Sequence, residues 1–439
     1  MLNTASLSLQ QAPPISIPFR FFLTAPLFSI LAAVQLLLAG EEILVSRWLP
    51  VTLGFTHLLT LGFLAMVMCG ALLQMLPVMA GAPVPGVVVV GGAVHLLLSL
   101  GTLFLVAWFL GSGPLPPALI LLVAGFSIFL IATVVAIWRR GVVARGSPAG
   151  GMQLALVSLL VTVLLGVVAS LGYDGRLVIR ELAVVTDIHL GWGLAGWVGL
   201  LLSSVAFQLV PMFNVTPEYP QWMKRHLPWL ILLALVGWSL LQFGEGAFWE
   251  GGRKFSLVPV VVLYLLFAFI TLDLQRRRKR KVPDITLLFW VTGLVSLICC
   301  AVLWVCSQLL PWLASWRGMG ALWGIGLLLG FSLSIVNGML YKIVPFLSWF
   351  HLQNRQMAQM RMSVAIPHMK AFISDRAARV QFVLHLLATV AMAAAVLYSH
   401  NLVRPAAFLF LASNLLLGAN LWIAVWRFRK TSLLLAQKS

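Results

Sequence analysis

Charge is scarce in this chain. Of its 439 residues 9% are Asp, Glu, Lys or Arg, against roughly 25% in an ordinary soluble domain. That figure excludes a soluble globular protein, and a hydrophobic share of 61% excludes a disordered one. Cysteine is nearly missing as well. Cys69, Cys299, Cys300 and Cys306 all stand in apolar runs without a CxxC pair, so neither a disulfide framework nor a zinc site is indicated and the four read as small core residues. Carboxylates number 11, and every one falls at the end of an apolar run or in a connection: Glu41, Glu42, Asp174, Glu181, Asp187, Glu245 and Glu250 towards one side, Glu218, Asp273, Asp284 and Asp375 towards the other. The mid-membrane Asp or Glu on which proton pumps and most proton-coupled transporters rely is absent. A secretory leader is not seen in the first 19 residues either, so the first apolar run is expected to be a retained span.

What the chain has in abundance is long apolar runs. Twelve are long enough to cross about 30 Å of hydrocarbon as helices, near 20–40, 51–77, 87–111, 117–138, 152–171, 188–213, 227–244, 256–274, 286–310, 320–347, 380–399 and 404–426. The formal charge of +18 then has a topological reading. Assigning alternate connections to opposite sides gathers 22 of the 29 Lys and Arg on one side and 7 on the other, which predicts cytoplasmic N- and C-termini. The richer side includes Arg139, Arg140 and Arg145; the basic run from Arg276 to Lys281 is expected to meet anionic headgroups of the lipid bilayer rather than nucleic acid. The one long connection, about 348–379, carries Met357, Met360, Met362 and Met369 beside His351 and His368. It reads either as an amphipathic interfacial helix with Met and Phe towards lipid or, from its soft ligands, as a copper-handling segment.

A repeat organises these runs. GFLAMVMCGALLQMLP at 62–77, GWVGLLLSSVAFQLVP at 196–211 and GFSLSIVNGMLYKIVP at 330–345 recur at a spacing of 134 residues without a gap. The spacing aligns Gly62, Gly196 and Gly330, then Gln74, Gln208 and Lys342, then Pro77, Pro211 and Pro345. Glycine admits close helix approach where no hydrophobic force drives association. The prolines are expected to end their helices at the membrane boundary, with the polar residue three positions earlier reaching headgroups or water. The expected fold is all-α: a polytopic bundle of about twelve transmembrane helices in three pseudo-threefold four-helix units, about 20–140, 150–275 and 285–427, forming one domain over 1–439.

Twelve spans in three arcs, with Gly-aromatic and a closing Pro on spans two, six and ten and a His near the outer end of spans two and six, resemble subunit I of the heme-copper oxidase superfamily. The cbb-type oxidase and nitric oxide reductase branch is the nearest likeness. In topology the likeness covers about 20–430; in residues it is confined to the three repeats. It implies that His57, five residues before Gly62, is an axial heme ligand. His189, seven before Gly196 and preceded by Asp187, takes by the same likeness a heme or copper role. Read from the residues alone, each is equally a packing histidine. The departures are as informative. The paired ligands of helix ten are Trp323 and Ile325 here, span seven holds no His, and His226 lies at its cytoplasmic start. His95 and His385 read as interhelical hydrogen-bonders.

Two functions are therefore carried forward. The first is a divergent oxidase-like membrane protein of the bacterial inner membrane that binds heme, with weakly supported copper, and serves electron transfer, sensing or a respiratory accessory role beside other respiratory-chain subunits or a c-type cytochrome. The second is a cofactor-free transporter or assembly factor on the same bundle. Oxygen or nitric oxide reduction is not expected, because the helix-seven and helix-ten ligands are missing.

Overall fold

The structure, a computed structural model, describes residues 11–141, 148–244, 246–279, 284–361, 363–398 and 400–436. Arg145, Glu245, Arg280, Lys281 and Met362, named above, lie outside them, as does the side chain of Glu250. Among the described residues every regular element is helical, as expected of a chain whose peptide groups must pair internally in hydrocarbon. Eleven helices among the described residues are long and apolar enough to cross a membrane, so the architecture is that of an integral membrane protein. They are α1 (Ser16–Leu44), α2 (Pro50–Ala80), α3 (Val87–Phe109), α4 (Leu115–Arg140), α5 (Ala149–Tyr173), α6 (Leu182–Asn214), α8 (Val258–Arg276), α9 (Ile285–Leu309), α10 (Met319–Ala358), α11 (Asp375–Leu397) and α12 (Val403–Ala436). The remaining expected span is α7 (Gln221–Leu241), whose first turns carry Lys224, Arg225 and His226 before the apolar stretch begins at Leu227.

The distribution of side chains is that of a protein solvated by lipid. Leu38, Ile120, Ile131 and Phe408 are exposed, whereas Ser158, Thr133, Thr271 and Gln381 are wholly buried. The hydroxyls return their hydrogen bonds to their own helix, Ser158 to Leu154 O at 3.0 Å and Thr271 to Phe267 O at 2.7 Å. Of the four cysteines Cys69 and Cys300 are buried, but Cys299 is exposed and Cys306 half-buried. Cys299 is thus not a core residue; it adjoins Cys300 on α9 but points about 100° away around the helix.

The three repeat helices are the most enclosed spans. Their most apolar 18 residues are 78% buried in α2, 72% in α6 and 67% in α10, and no other span exceeds 56%. The chain divides into two compact units. One comprises 72–101 and 114–281, and within it α5 packs along α6, with α7 against both and α8 against α7. The other comprises 14–71, 102–113 and 282–439, and within it α12 packs along α1, α10 and α11, while α9 packs along α10.

The repeat is visible in packing within each unit. A Cβ added at Gly62 would lie 2.6 Å from Phe28 Cβ on α1; at Gly196, 2.8 Å from Ser158 Cβ on α5; at Gly330, 2.8 Å from Ser296 Cβ on α9. Two turns on, the contact recurs: Gly70 against Phe21 Cβ at 2.6 Å and Gly338 against Phe289 Cβ at 2.6 Å. In α5 and α6 the small residue has changed sides, with Gly151 against Ser204 Cβ at 2.8 Å. Each pair is thus sewn by the same two close approaches, which small residues make possible.

The prolines behave otherwise than expected. Pro77, Pro211 and Pro345 lie inside their helices, which run on to Ala80, Asn214 and Ala358. What stops the first two is a left-handed residue at equivalent repeat positions, Gly81 with φ 60° and Val215 with φ 54°. A glycine takes this conformation freely, whereas a β-branched residue is strained in it; the Val215 carbonyl accepts a 3.0 Å bond from Lys279 N. The equivalent Trp349 stays helical, so α10 continues. Of the connection expected at about 348–379, the residues to Ala358 continue α10, with Phe350 buried rather than towards lipid and Met357 and Met360 exposed. Phe372 is fully buried, Gln356 Nε2 donates to Arg361 O at 3.2 Å and Val364 O at 2.7 Å, and Arg427 donates to Ala371 O.

Two outcomes follow for thermal unfolding of the purified chain. Gly62→Val and Gly196→Val are expected to destabilise by about 1–3 kcal/mol through overpacking, whereas Gly320→Ala, which meets nothing within 4 Å, leaves the melting temperature unchanged. Val215→Gly is expected to raise it, by relief of about 1 kcal/mol of left-handed strain.

Candidate functional site

The candidate site grows from a backbone feature shared by the repeat helices. Each carries a π-helical stretch: Leu58–Ala65 in α2, Trp192–Gly199 in α6 and Ile325–Leu333 in α10. The first two are 134 residues apart at both ends, and the third ends on the same period at Leu333 and starts one residue early. Wide turns of this kind are rare and weaken the regular backbone ladder, and they concentrate at functional sites. Hydroxyls bond to the carbonyls in and beside the widened turns: Thr60 to Thr56 O at 2.9 Å, Ser332 to Leu327 O at 2.8 Å, and Ser334 to Leu329 O at 3.2 Å. Tyr264 donates to Ala195 O, the repeat counterpart of Leu329.

His57 is the last residue before the first π stretch. Its Nδ1 lies 2.8 Å from Leu53 O one turn back. A carbonyl only accepts, so Nδ1 carries the proton and Nε2 keeps the lone pair. The ring is half-buried and lies 5.2 Å from the Phe109 ring at 31°. The orienting acceptor is thus the histidine's own helix, a partner that a search among neighbouring side chains such as Thr56 and Thr60 does not find.

His189 is arranged alike by a different route. Its Nδ1 lies 2.9 Å from the carbonyl of Thr162 on α5, so Nε2 again carries the lone pair. Gly166 leaves room for the ring, since a Cβ there would lie 3.0 Å from His189 Cε1. His189 stands three residues before its π stretch, whereas the positions equivalent to His57 are Gly191 and Ile325. The histidines belong to different compact units, His57 to that of 14–71 and His189 to that of 114–281. Among the described residues no group of three or more His, Cys, Asp and Glu side chains is placed to share a metal ion. The oriented imidazole of His57 fits an axial heme ligand.

The polar members of the repeat diverge. Gln74 is buried with Oε1 unpartnered and so does not reach the surface as expected. Gln208 is half-buried. Lys342 pairs with Asp284, and each side chain is 18% exposed. Asp284 also caps α9, accepting from Leu287 N at 3.1 Å, so the third repeat spends its cation on fastening α9 to α10. Trp323 and Ile325 stand where the oxidase resemblance asks for histidines; Ile325 is buried, and Trp323 Nε1 is a buried donor without a partner. His226 is exposed, and His368 caps the short turn at 369–371. His385, read as an interhelical bonder, is one: its Nε2 lies 2.8 Å from Ser334 Oγ. No protein-family model and no curated protein matches the chain.

The Lys342–Asp284 pair is open to a double-mutant cycle. Lys342→Gln, the residue type of the other two repeats, is expected to destabilise by leaving a carboxylate half-enclosed, and Asp284→Asn added to it to recover part of the loss. The expected coupling is about 1–3 kcal/mol, read from thermal or denaturant unfolding.

Proposed function

We propose that this chain is a divergent relative of heme-copper oxidase subunit I that binds one heme through His57 and serves electron transfer, sensing or a respiratory accessory role in a bacterial inner membrane. The observation that carries the reading is His57 itself: an imidazole at the edge of a π-helical turn, its Nδ1 held by Leu53 O, its Nε2 lone pair unspent. Heme held there supplies one-electron chemistry. The chain's own part is to fix the ring through Leu53 and Phe109 and to keep neutral imidazole as the ligating form. His189, oriented by Thr162 O within its own unit, is kept as a separate heme-ligand candidate. The pseudo-threefold arrangement of units 20–140, 150–275 and 285–427 belongs to the same proposal. It is supported by the recurrence of the π stretches and of the glycine contacts between first and second helices.

A second reading, a transporter or assembly factor that kept the bundle without the cofactor, draws on Trp323 and Ile325 in the helix-ten slots and on open glycines. Gly320 and Gly324 meet nothing within 4 Å, so close packing does not account for them. The two readings part in a reduced-minus-oxidised spectrum and a pyridine hemochrome assay on protein expressed with ample heme. The first expects a heme signal that His57→Ala abolishes; protein without heme sinks it and leaves the second.

A further inference from the structure

The unit of 282–439 buries polar groups that nothing in it satisfies. His385, near the middle of α11, is 1% exposed. Its tautomer follows from its neighbours. Ser334 Oγ has one hydrogen, which goes to Leu329 O at 3.2 Å; the 2.8 Å contact between Ser334 Oγ and His385 Nε2 therefore has Nε2–H as donor. Nδ1 then carries the lone pair, and it is buried without a partner. One turn from this pair along each helix the pattern continues. Asn337, 1% exposed on α10, has both amide atoms unpartnered, so no flip of the amide satisfies it. Gln381, wholly buried on α11, donates from Nε2 to Ser413 Oγ at 2.9 Å and leaves Oε1 unpartnered.

These groups share a neighbourhood. Consecutive spans run in opposite directions, so three residues forward from Ser334 and four back from His385 lead the same way along the membrane normal, by about 5–6 Å. One side is walled by Phe289, whose ring lies 4.9 Å from Phe382, 5.7 Å from His385 and 6.1 Å from Tyr341. The Tyr341 hydroxyl oxygen accepts from Asn420 Nδ2 at 2.9 Å, and it is not a hydrogen-bond partner of any of the orphan atoms. Left bare in hydrocarbon, each polar group costs free energy on the order of a lost hydrogen bond or more. Three acceptors and one amide donor require a guest that both donates and accepts.

We propose that α10 and α11 enclose a buried hydration site, in which ordered water bonded to Asn337, Gln381 Oε1 and His385 Nδ1 lies against the wall formed by Phe289. Water matches the set because each molecule supplies two donors and two acceptors and needs two to four polar partners. The site places a neutral imidazole acceptor against water within a membrane span, in a chain whose carboxylates all stand at the ends. It does not rest on heme at His57.

The test uses the full chain in detergent micelles. X-ray radiolytic footprinting oxidises side chains beside ordered water even where bulk solvent does not reach. Phe289, wholly buried, is expected to be labelled in the native protein and to lose its label in Asn337→Leu. Asn337→Leu and Gln381→Leu are each expected to lower the apparent melting temperature by about 2–4 °C, since either leaves water or its other partners unpaired. An unlabelled Phe289, or a melting temperature that rises when Asn337 becomes Leu, overturns the proposal, because removing bare orphan atoms stabilises. Loss of heme binding in His57→Ala with Phe289 labelling unchanged separates this site from the other reading.

Discussion

In a lipid solvent, helices gain nothing by hiding apolar surface from one another, so what holds the bundle is the closeness with which backbones and small side chains meet. In this chain that closeness is concentrated at a few residues. Gly62, Gly196 and Gly330 each admit the Cβ of a neighbouring helix into the space of a side chain, and a second approach two turns along repeats the seam. The separations in sequence are telling. Gly62 meets a residue 34 earlier, as does Gly330, whereas Gly196 meets one 38 earlier. The same four-residue offset recurs at the second approach, 49 in the outer repeats and 53 between Gly151 and Ser204. The middle repeat thus has four more residues between its paired contacts while the packed surface stays in register. Contact geometry has been held while the intervening chain changed length.

The π stretches belong to the same logic. A widened turn rotates everything after it relative to everything before it, so a helix that carries one presents two faces that a regular helix could not present together. In α2, α6 and α10 the glycine seam lies within and after the wide turn, and the chemistry-bearing side chains, His57 and His189, lie before it. Hydroxyls bonded around the turns keep their carbonyls from standing bare in hydrocarbon.

Much of this was legible in the residues. The twelve runs, the 134-residue period and the glycine seam follow from hydropathy and spacing, because both are statements about which surface faces lipid and which faces protein. The wide turns were not legible: no residue type announces a π stretch, and only the coincidence of three glycine-aromatic pairs marked the place. The helix ends were misread for a physical reason. Proline removes one donor and bends a helix, but in a bundle the freed carbonyl is absorbed and the helix runs on. A left-handed residue stops the ladder, and at Val215 it is one whose type argues against that conformation. The orienting partners of His57 and His189 were hidden for a related reason, since both are backbone carbonyls and any residue supplies one.

Divergence among the repeats shows where function departs from architecture. Positions that pack stay alike: glycine at 62, 196 and 330, and an aromatic after each. The position just before the wide turn and the one three residues before the proline do not. His57 corresponds to Gly191 and Ile325, so an imidazole at the edge of the wide turn is unique to the first repeat. Gln74 and Gln208 correspond to Lys342, and only the third repeat answers with a carboxylate, Asp284, at the start of its first helix. Cys69 and Ser203 correspond to Asn337, so the group that most requires a guest also belongs to the third repeat alone. Apolar residues at such positions would cost nothing in hydrocarbon, whereas buried polar groups do. The first repeat instead carries an oriented histidine, and the third an ion pair and an unsatisfied amide, so the costly polar groups stand in the features the repeats do not share.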